Sequence, residues 1–155
     1  MSETTTEGVS TTLAELSAYA GADLGHTPWQ EMTQDEVNAF AAVTGDHNPI
    51  HEDPEYAAQT PFKSTIAHGF FTLSLTARAS QRLTVTDSKA NINYGLDKVR
   101  FPAPLPVGAR YRVGARVGEV SEIRGGMQAT ITATVEVEGA ERPACVAESI
   151  VRFYA

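Results

Sequence analysis

The strongest constraint in this sequence is a two-residue period that sets in after Ala90 and holds nearly to the C-terminus. It is clearest where Met127, Ala129, Ile131, Ala133, Val135 and Val137 alternate with Gln128, Thr130, Thr132, Thr134, Glu136 and Glu138. Successive side chains of a strand point to opposite faces, so alternation of this length predicts a long strand with one dry and one wet face. The same period runs through Tyr111, Val113, Ala115 and Val117 against Arg110, Arg112, Gly114 and Arg116. Ile92 and Tyr94 alternate with Asn91 and Asn93, and Val99 and Phe101 alternate with Lys98 and Arg100. A last strand is predicted from about Pro143 to Tyr154. Gly125-Gly126 and Gly139-Ala140 read as the turns of an antiparallel meander.

Upstream the period is helical. Thr12-Leu13-Ala14-Glu15 has the form of a capping box, with Leu13, Leu16 and Ala20 on one face of a short predicted helix that Gly21 can stop. A second box, Thr33-Gln34-Asp35-Glu36, opens a clearer helix with the stripe Val37, Phe40, Ala41 and Thr44, and Gly45 supplies its C-terminal cap. Asp53-Pro54 predicts the N-cap and first position of a short helical turn. From Gly69 to about Leu83 a helix is predicted whose first half is apolar around nearly its whole circumference, so it belongs in a core. Helices first and long strands after is an α+β order. One long buried helix with a sheet large enough to wrap it is the packing that follows.

With 155 residues, the chain is the size of one domain, read here as 11–155, preceded by a frayed, Thr- and Ser-rich tail over 1–10. That tail lacks the apolar region of a secretory signal. No stretch reaches the roughly 20 apolar residues of a membrane span, so membrane insertion is not expected. The net charge of −7 without a Lys/Arg cluster makes nucleic acid an improbable partner. A single cysteine, Cys145, excludes an intrachain disulfide and suits a cytoplasmic location. In its strand it is expected to be packed and inert. Arg110, Arg112 and Arg116 share the wet face of one strand, either solvated or available to phosphates or an acidic carrier protein.

The segment Asp46-His47-Asn48-Pro49-Ile50-His51-Glu52-Asp53-Pro54 carries the chemistry. Asp46 and His51, five apart across a proline turn, can converge on one water as a general acid–base pair. Asn48 and Pro49 are expected to shape that loop. His47 and His51 have a chelating separation, but Pro49 between them opposes the regular helix that such a pair needs, so no metal is expected. His68, beside an apolar run, reads as structural or as a support for the site. Backbone N–H groups at the start of the helix near Gly69 are unpaired donors that could polarise a carbonyl.

Phe40-x-x-Val43-Thr44-Gly45-Asp46-x-Asn48-Pro49-Ile50-His51, with Ala57 beyond it, resembles the hydratase motif of the MaoC-like dehydratases, which include the (R)-specific enoyl-CoA hydratases. Ile66-Ala67-His68-Gly69-Phe70 resembles the family's helix start. The stretch from Asn93 to Pro104 resembles a strand pair of its NodN-like branch. The resemblance implies a hot-dog fold, homodimers, no cofactor, and reversible hydration or dehydration of acyl-CoA or acyl-carrier-protein thioesters. It assigns catalysis to Asp46 and His51 and the oxyanion contact to the Gly69 N–H. A serine used by some hydratases is matched here by Ala77, with Ser74 and Thr76 nearby. The alternatives are a thioesterase on the same fold and a non-catalytic acyl-thioester-binding protein.

Overall fold

The computed structural model describes residues 7–155. Its frame is a six-stranded sheet built from the segments with alternating periodicity. Strands β6 (Arg110–Ile123), β7 (Gly126–Val137) and β8 (Cys145–Tyr154) form the predicted meander. β5 (Ala90–Arg100) pairs antiparallel with β8 at the far edge and not with its sequence neighbour β6. The short strands β2 (Asp23–His26) and β3 (Gln30–Glu31) pair with β6. On β7 the alternation is perfect: Ala129, Ile131, Ala133, Val135 and Val137 are buried and the residues between them are half-exposed.

The inward face is shallow at its centre. Ala115 lies opposite Ala133, and Ala133 opposite Ala147, a row of short side chains across three strands. Over this face runs the predicted long helix, as α4 (Gly69–Ser74) continued by a 3-10 stretch over Leu75–Arg82. Thr72, Leu75, Ala79 and Arg82 are buried, at the spacing of one helical face. The 3-10 stretch packs over β2, β6 and β7. Curved antiparallel strands around a central helix give the expected α+β, hot-dog architecture. The expectation of burial on all sides is corrected. Phe70 is 75 % exposed, and Ser74 and Ala77 are exposed as well. Thr72 and Leu75 are sealed against the core, whereas Phe70, Leu73 and Ala77 line a cavity.

The N-terminal expectations need two corrections. Residues 1–6 of the predicted tail lie outside the described residues, but Val9–Thr11 form strand β1, parallel to β4 (Leu83–Val85). The predicted tail therefore ends before Val9. The Thr12 capping box is not formed: Thr12 Oγ1 bonds the Glu15 side chain at 3.3 Å, and a 3-10 turn over Leu16–Tyr19 replaces the α-helix. Leu16 is fully buried all the same, so the apolar pattern located the contact and misjudged the coil. The second box is real. Thr33 Oγ1 accepts from Glu36 N–H, Glu36 accepts from Thr33 N–H, and α1 (Gln34–Thr44) ends at Gly45 in the left-handed region.

On the outer face, the arginines of β6 are engaged. Arg110 pairs with Glu138, Arg112 with Glu136, and Arg116 with Asp23. Arg112 also lies 4.6 Å over the Trp29 ring. Glu136 bridges Arg112 at 2.7 Å and His26 at 3.1 Å. Burial opposes its charge, yet the hydrogen bonds and charges of Arg112 and His26 prevail and hold the carboxyl below its ordinary 4.5. Cys145 is buried in the core, and burial pushes its thiol up to about 11.

Two outcomes follow from this packing. A Cβ on Gly126 would run into the Phe153 carbonyl across the β7–β8 ladder. Gly126→Ala should therefore cost about 1–3 kcal/mol, read as a lower urea midpoint with an unchanged slope. Glu136 has a depressed folded pKa, so its stabilisation is present above the unfolded carboxylate value and lost as pH falls through the folded one. Wild type should exceed Glu136→Gln in stability near neutrality, modestly and salt-dependently because the pair is partly exposed. The gap should shrink as pH is lowered below 5. A gap that widens on acidification would contradict the pairing.

Candidate active site

The loop after α1 is built from local hydrogen bonds. Gly45 turns the chain at φ 77°, a conformation suited to glycine. The Asp46 carboxylate accepts from Asn48 N–H at 3.3 Å, and Asn48 Oδ1 accepts from Ile50 N–H at 3.2 Å. Asn48 thereby caps a one-turn helix, α2 (Pro49–Glu52), with Pro49 at its first position. Asp53 caps the next, α3 (Pro54–Ala58), accepting from Glu55 and Tyr56 N–H groups. His51 sits on α2 with its side chain turned inward and is only 9 % exposed. His47 points the other way and bonds Glu52 at 2.9 Å, with its side chain 59 % exposed. The chain thus separates the two histidines that sequence spacing alone leaves equivalent.

This loop is fastened to the segment that leads into α4. His51 Nδ1 lies 2.7 Å from the Ile66 carbonyl, and Ile66 N–H donates to the Ile50 carbonyl at 3.2 Å. His68 Nε2 lies 2.9 Å from the Asp46 carbonyl. Gln34, on the first turn of α1, bridges the two segments: its amide donates to the His51 carbonyl at 2.8 Å and its Oε1 accepts from Thr65 Oγ1 at 2.7 Å. Nothing in the sequence marks Gln34 for this, since a polar residue after an N-cap ordinarily faces water.

A carbonyl oxygen can only accept. In the neutral ring, His51 therefore carries its proton on Nδ1, and Nε2 is left as a lone pair. Asp46, His51 and His68 each offer a side-chain atom within 4.8 Å of one another, so the acid–base groups predicted from sequence are brought together with a second imidazole. The three also form the only His/Cys/Asp/Glu group of metal-binding separation among the described residues. The rings of His51 and His68 stack with centroids 3.8 Å apart and planes 28° from parallel. Lone pairs lie in the ring planes, so stacked rings direct them side by side, whereas an ion needs nitrogens converging at about 2.0–2.1 Å. The arrangement fits proton handling better than metal ligation.

Gly69, the first residue of α4, follows His68 directly, and its N–H precedes the helical hydrogen-bond ladder. A cavity of about 590 Å³ opens beside this helix, between Phe70, Leu73 and Ala77 and the sheet residues Ile131, Ala133 and Val151. Ser74 and Thr76 line it too, but their hydroxyls donate to the Phe71 and Leu73 carbonyls. Asp46 and His51 are not part of its wall. The cavity reaches the first turn of α4 at Phe70, two residues from His68.

The chain is similar to known proteins. Residues 15–140 match the family model described as MaoC like domain. The chain is 54 % identical over 145 residues to 3-hydroxyacyl-thioester dehydratase Z of Mycobacterium tuberculosis, covering 92 % of this chain and 96 % of that one. It is 39 % identical over 148 residues to nodulation protein N of Rhizobium leguminosarum, covering 91 % of each. Among solved structures, an unliganded R-hydratase from Pseudomonas aeruginosa superposes with a TM-score of 0.75 at 27 % identity, covering 92 % of this chain and 85 % of that one. A match that runs through the acid–base loop, the helix start and the wrapping sheet alike places this chain in the MaoC-like domain family.

Proposed function

We propose that the protein reversibly hydrates 2-enoyl thioesters and dehydrates 3-hydroxyacyl thioesters, carried on CoA or on an acyl carrier protein, with (R) stereochemistry. The observation that carries this reading is the convergence of the Asp46 carboxylate and His51 at the start of α4. The stereochemistry and the thioester class follow the named relatives.

In hydration, the thioester carbonyl accepts from the Gly69 N–H, which draws electron density from the conjugated double bond toward that oxygen. A water held between Asp46 and His51 loses a proton to the pair as its oxygen adds to the β carbon. A proton returns to the α carbon, and the enolate-like charge on the thioester oxygen collapses. Dehydration retraces these steps. The oxyanion contact serves both directions, because the same charge develops in each. The acyl tail extends past Phe70 into the cavity beside α4. No cofactor enters this scheme, and we place the enzyme in the cytoplasm.

The working unit in this reading is a homodimer. Among the described residues β5 is an edge strand, pairing only with β8, and it exposes Ile92 at 46 %, Tyr94 at 57 % and Leu96 at 41 %. Edge strands with apolar side chains call for cover. Sedimentation should give twice the chain mass at micromolar concentration, and a fully active monomer would contradict the assignment.

The test of the chemistry is hydration of trans-2-enoyl-CoA substrates, followed by loss of enoyl absorbance. Asp46→Asn and His51→Ala should each lower kcat by roughly 10²- to 10⁴-fold. The double variant should be little worse than either, because groups sharing one water act as a unit. His47→Ala and Asp53→Ala should keep most activity, the second at a stability cost of about 1 kcal/mol for the lost cap. Equal damage from His47→Ala and His51→Ala in folded proteins would overturn the assignment of the pair. Thiol release from saturated acyl-CoA, without hydration, would identify a thioesterase instead.

A further inference from the structure

His68 is the third member of the cluster, and the proposed chemistry gives it no proton to move. It is nevertheless among the most deeply buried polar side chains, at 1 % exposure. Burying an imidazole is costly unless its polar atoms are satisfied. Among the described residues only one is: Nε2 meets the Asp46 carbonyl at 2.9 Å, while Nδ1 has no hydrogen-bond partner there. One face of the ring stacks on His51 at 3.8 Å. The Phe40 ring, itself stacked on Phe71, lies 4.9 Å away at 49°. An apolar side chain would fill this space without stranding a nitrogen, so packing alone does not account for a histidine.

The backbone of the same residue has a separate task. His68 is the N-cap of α4, and its carbonyl accepts from Thr72 N–H at 2.9 Å and Thr72 Oγ1 at 3.0 Å. The next N–H is that of Gly69. One residue therefore holds the main chain of Asp46 with its ring, supports the ring of His51, and starts the helix whose first donor faces the thioester. We propose that His68 is a positioning residue that fixes the spacing between the water-handling pair and the oxyanion donor. The Nε2 proton is what the Asp46 carbonyl requires, so in the neutral form its tautomer is the reverse of that of His51. This inference rests on the hydratase reading for its kinetic consequences, but not for the tautomers.

Two substitutions separate the ring's contributions. His68→Phe keeps the aromatic stack and loses the donor to Asp46. His68→Gln keeps a donor near the Nε2 position and loses the ring. A misplacement of about 1 Å can cost 10²-fold in rate. His68→Phe should therefore lower kcat by about that factor with KM changed less than about threefold, the pattern of lost positioning and not lost binding. His68→Gln should recover about tenfold of that loss. In parallel, imidazole ¹⁵N shifts of the wild-type protein above neutral pH should show the proton on Nε2 of His68 and on Nδ1 of His51. Folded variants with kcat within twofold of wild type would overturn the proposal, as would a rise in KM alone. If neither variant folds, the wild-type tautomers decide, and a proton on Nδ1 of His68 overturns it. A wild-type protein that hydrates no enoyl thioester sinks the functional reading and the kinetic role together. Activity that depends on Asp46 but not on His68 sinks this inference alone.

Discussion

The structure depends on how close a helix can come to a sheet. Ala115, Ala133 and Ala147 line up across β6, β7 and β8, so the sheet's inward face is lowest at its centre. Side chains of this size let α4 and its 3-10 continuation settle with Thr72, Leu75, Ala79 and Arg82 against the strands. Protein interiors tolerate few voids, so larger residues in that row would lift or tilt the helix. Everything chemical is hung on the helix start. The Ile66 carbonyl holds His51, His68 holds the Asp46 main chain, and Gly69 supplies the first free N–H. A shift of the helix would move all of these together.

Two carbonyls impose complementary protonation on two stacked rings. His51 donates a hydrogen bond from Nδ1 to the Ile66 carbonyl, and His68 donates one from Nε2 to the backbone carbonyl of Asp46. Because an acceptor cannot donate, each bond selects a tautomer without any charged partner. In this way two backbone carbonyls define which nitrogen of each ring keeps its lone pair. His47, four residues earlier, makes the contrast. It bonds a carboxylate in solvent, where either nitrogen can turn to meet it.

Much of this was legible in the sequence, and the failures have distinct causes. The long strands β6, β7 and β8 follow from alternation, because each has one dry face. β5 obeys the alternation but inverts its meaning. Asn91, Asn93 and Leu96 line the cavity, while Ile92 and Tyr94 are exposed on other sides. Register shifts between Asn93 and Gly95 and between Leu96 and Lys98 re-aim the side chains, and no period count anticipates a bulge. β1 lay hidden in a Thr- and Ser-rich stretch because a three-residue strand carries too few side chains to show a period. The conformation of the loop after α1 was legible because its determinants are local: a glycine, an asparagine cap and a proline at fixed offsets. Gln34, Thr65 and the Ile66 carbonyl were not, since each acts only through contacts made when distant segments meet.

The separation of cavity from acid–base pair explains why the first turn of α4 is built from such different residues. On one side of Gly69 lies His68, wholly buried and tied to the loop; on the other lies Phe70, three-quarters exposed and facing the cavity. A substrate that spans both regions must cross the backbone between them, with its reactive carbons on the histidine side and its tail on the phenylalanine side. Gly69 is not required there by backbone strain, and an added Cβ would make only ordinary contact with the Phe101 ring at 3.7 Å. The fold itself therefore makes no demand for glycine at this position. The oxyanion contact proposed for its N–H is a separate demand, while the helix start around it answers to the sheet.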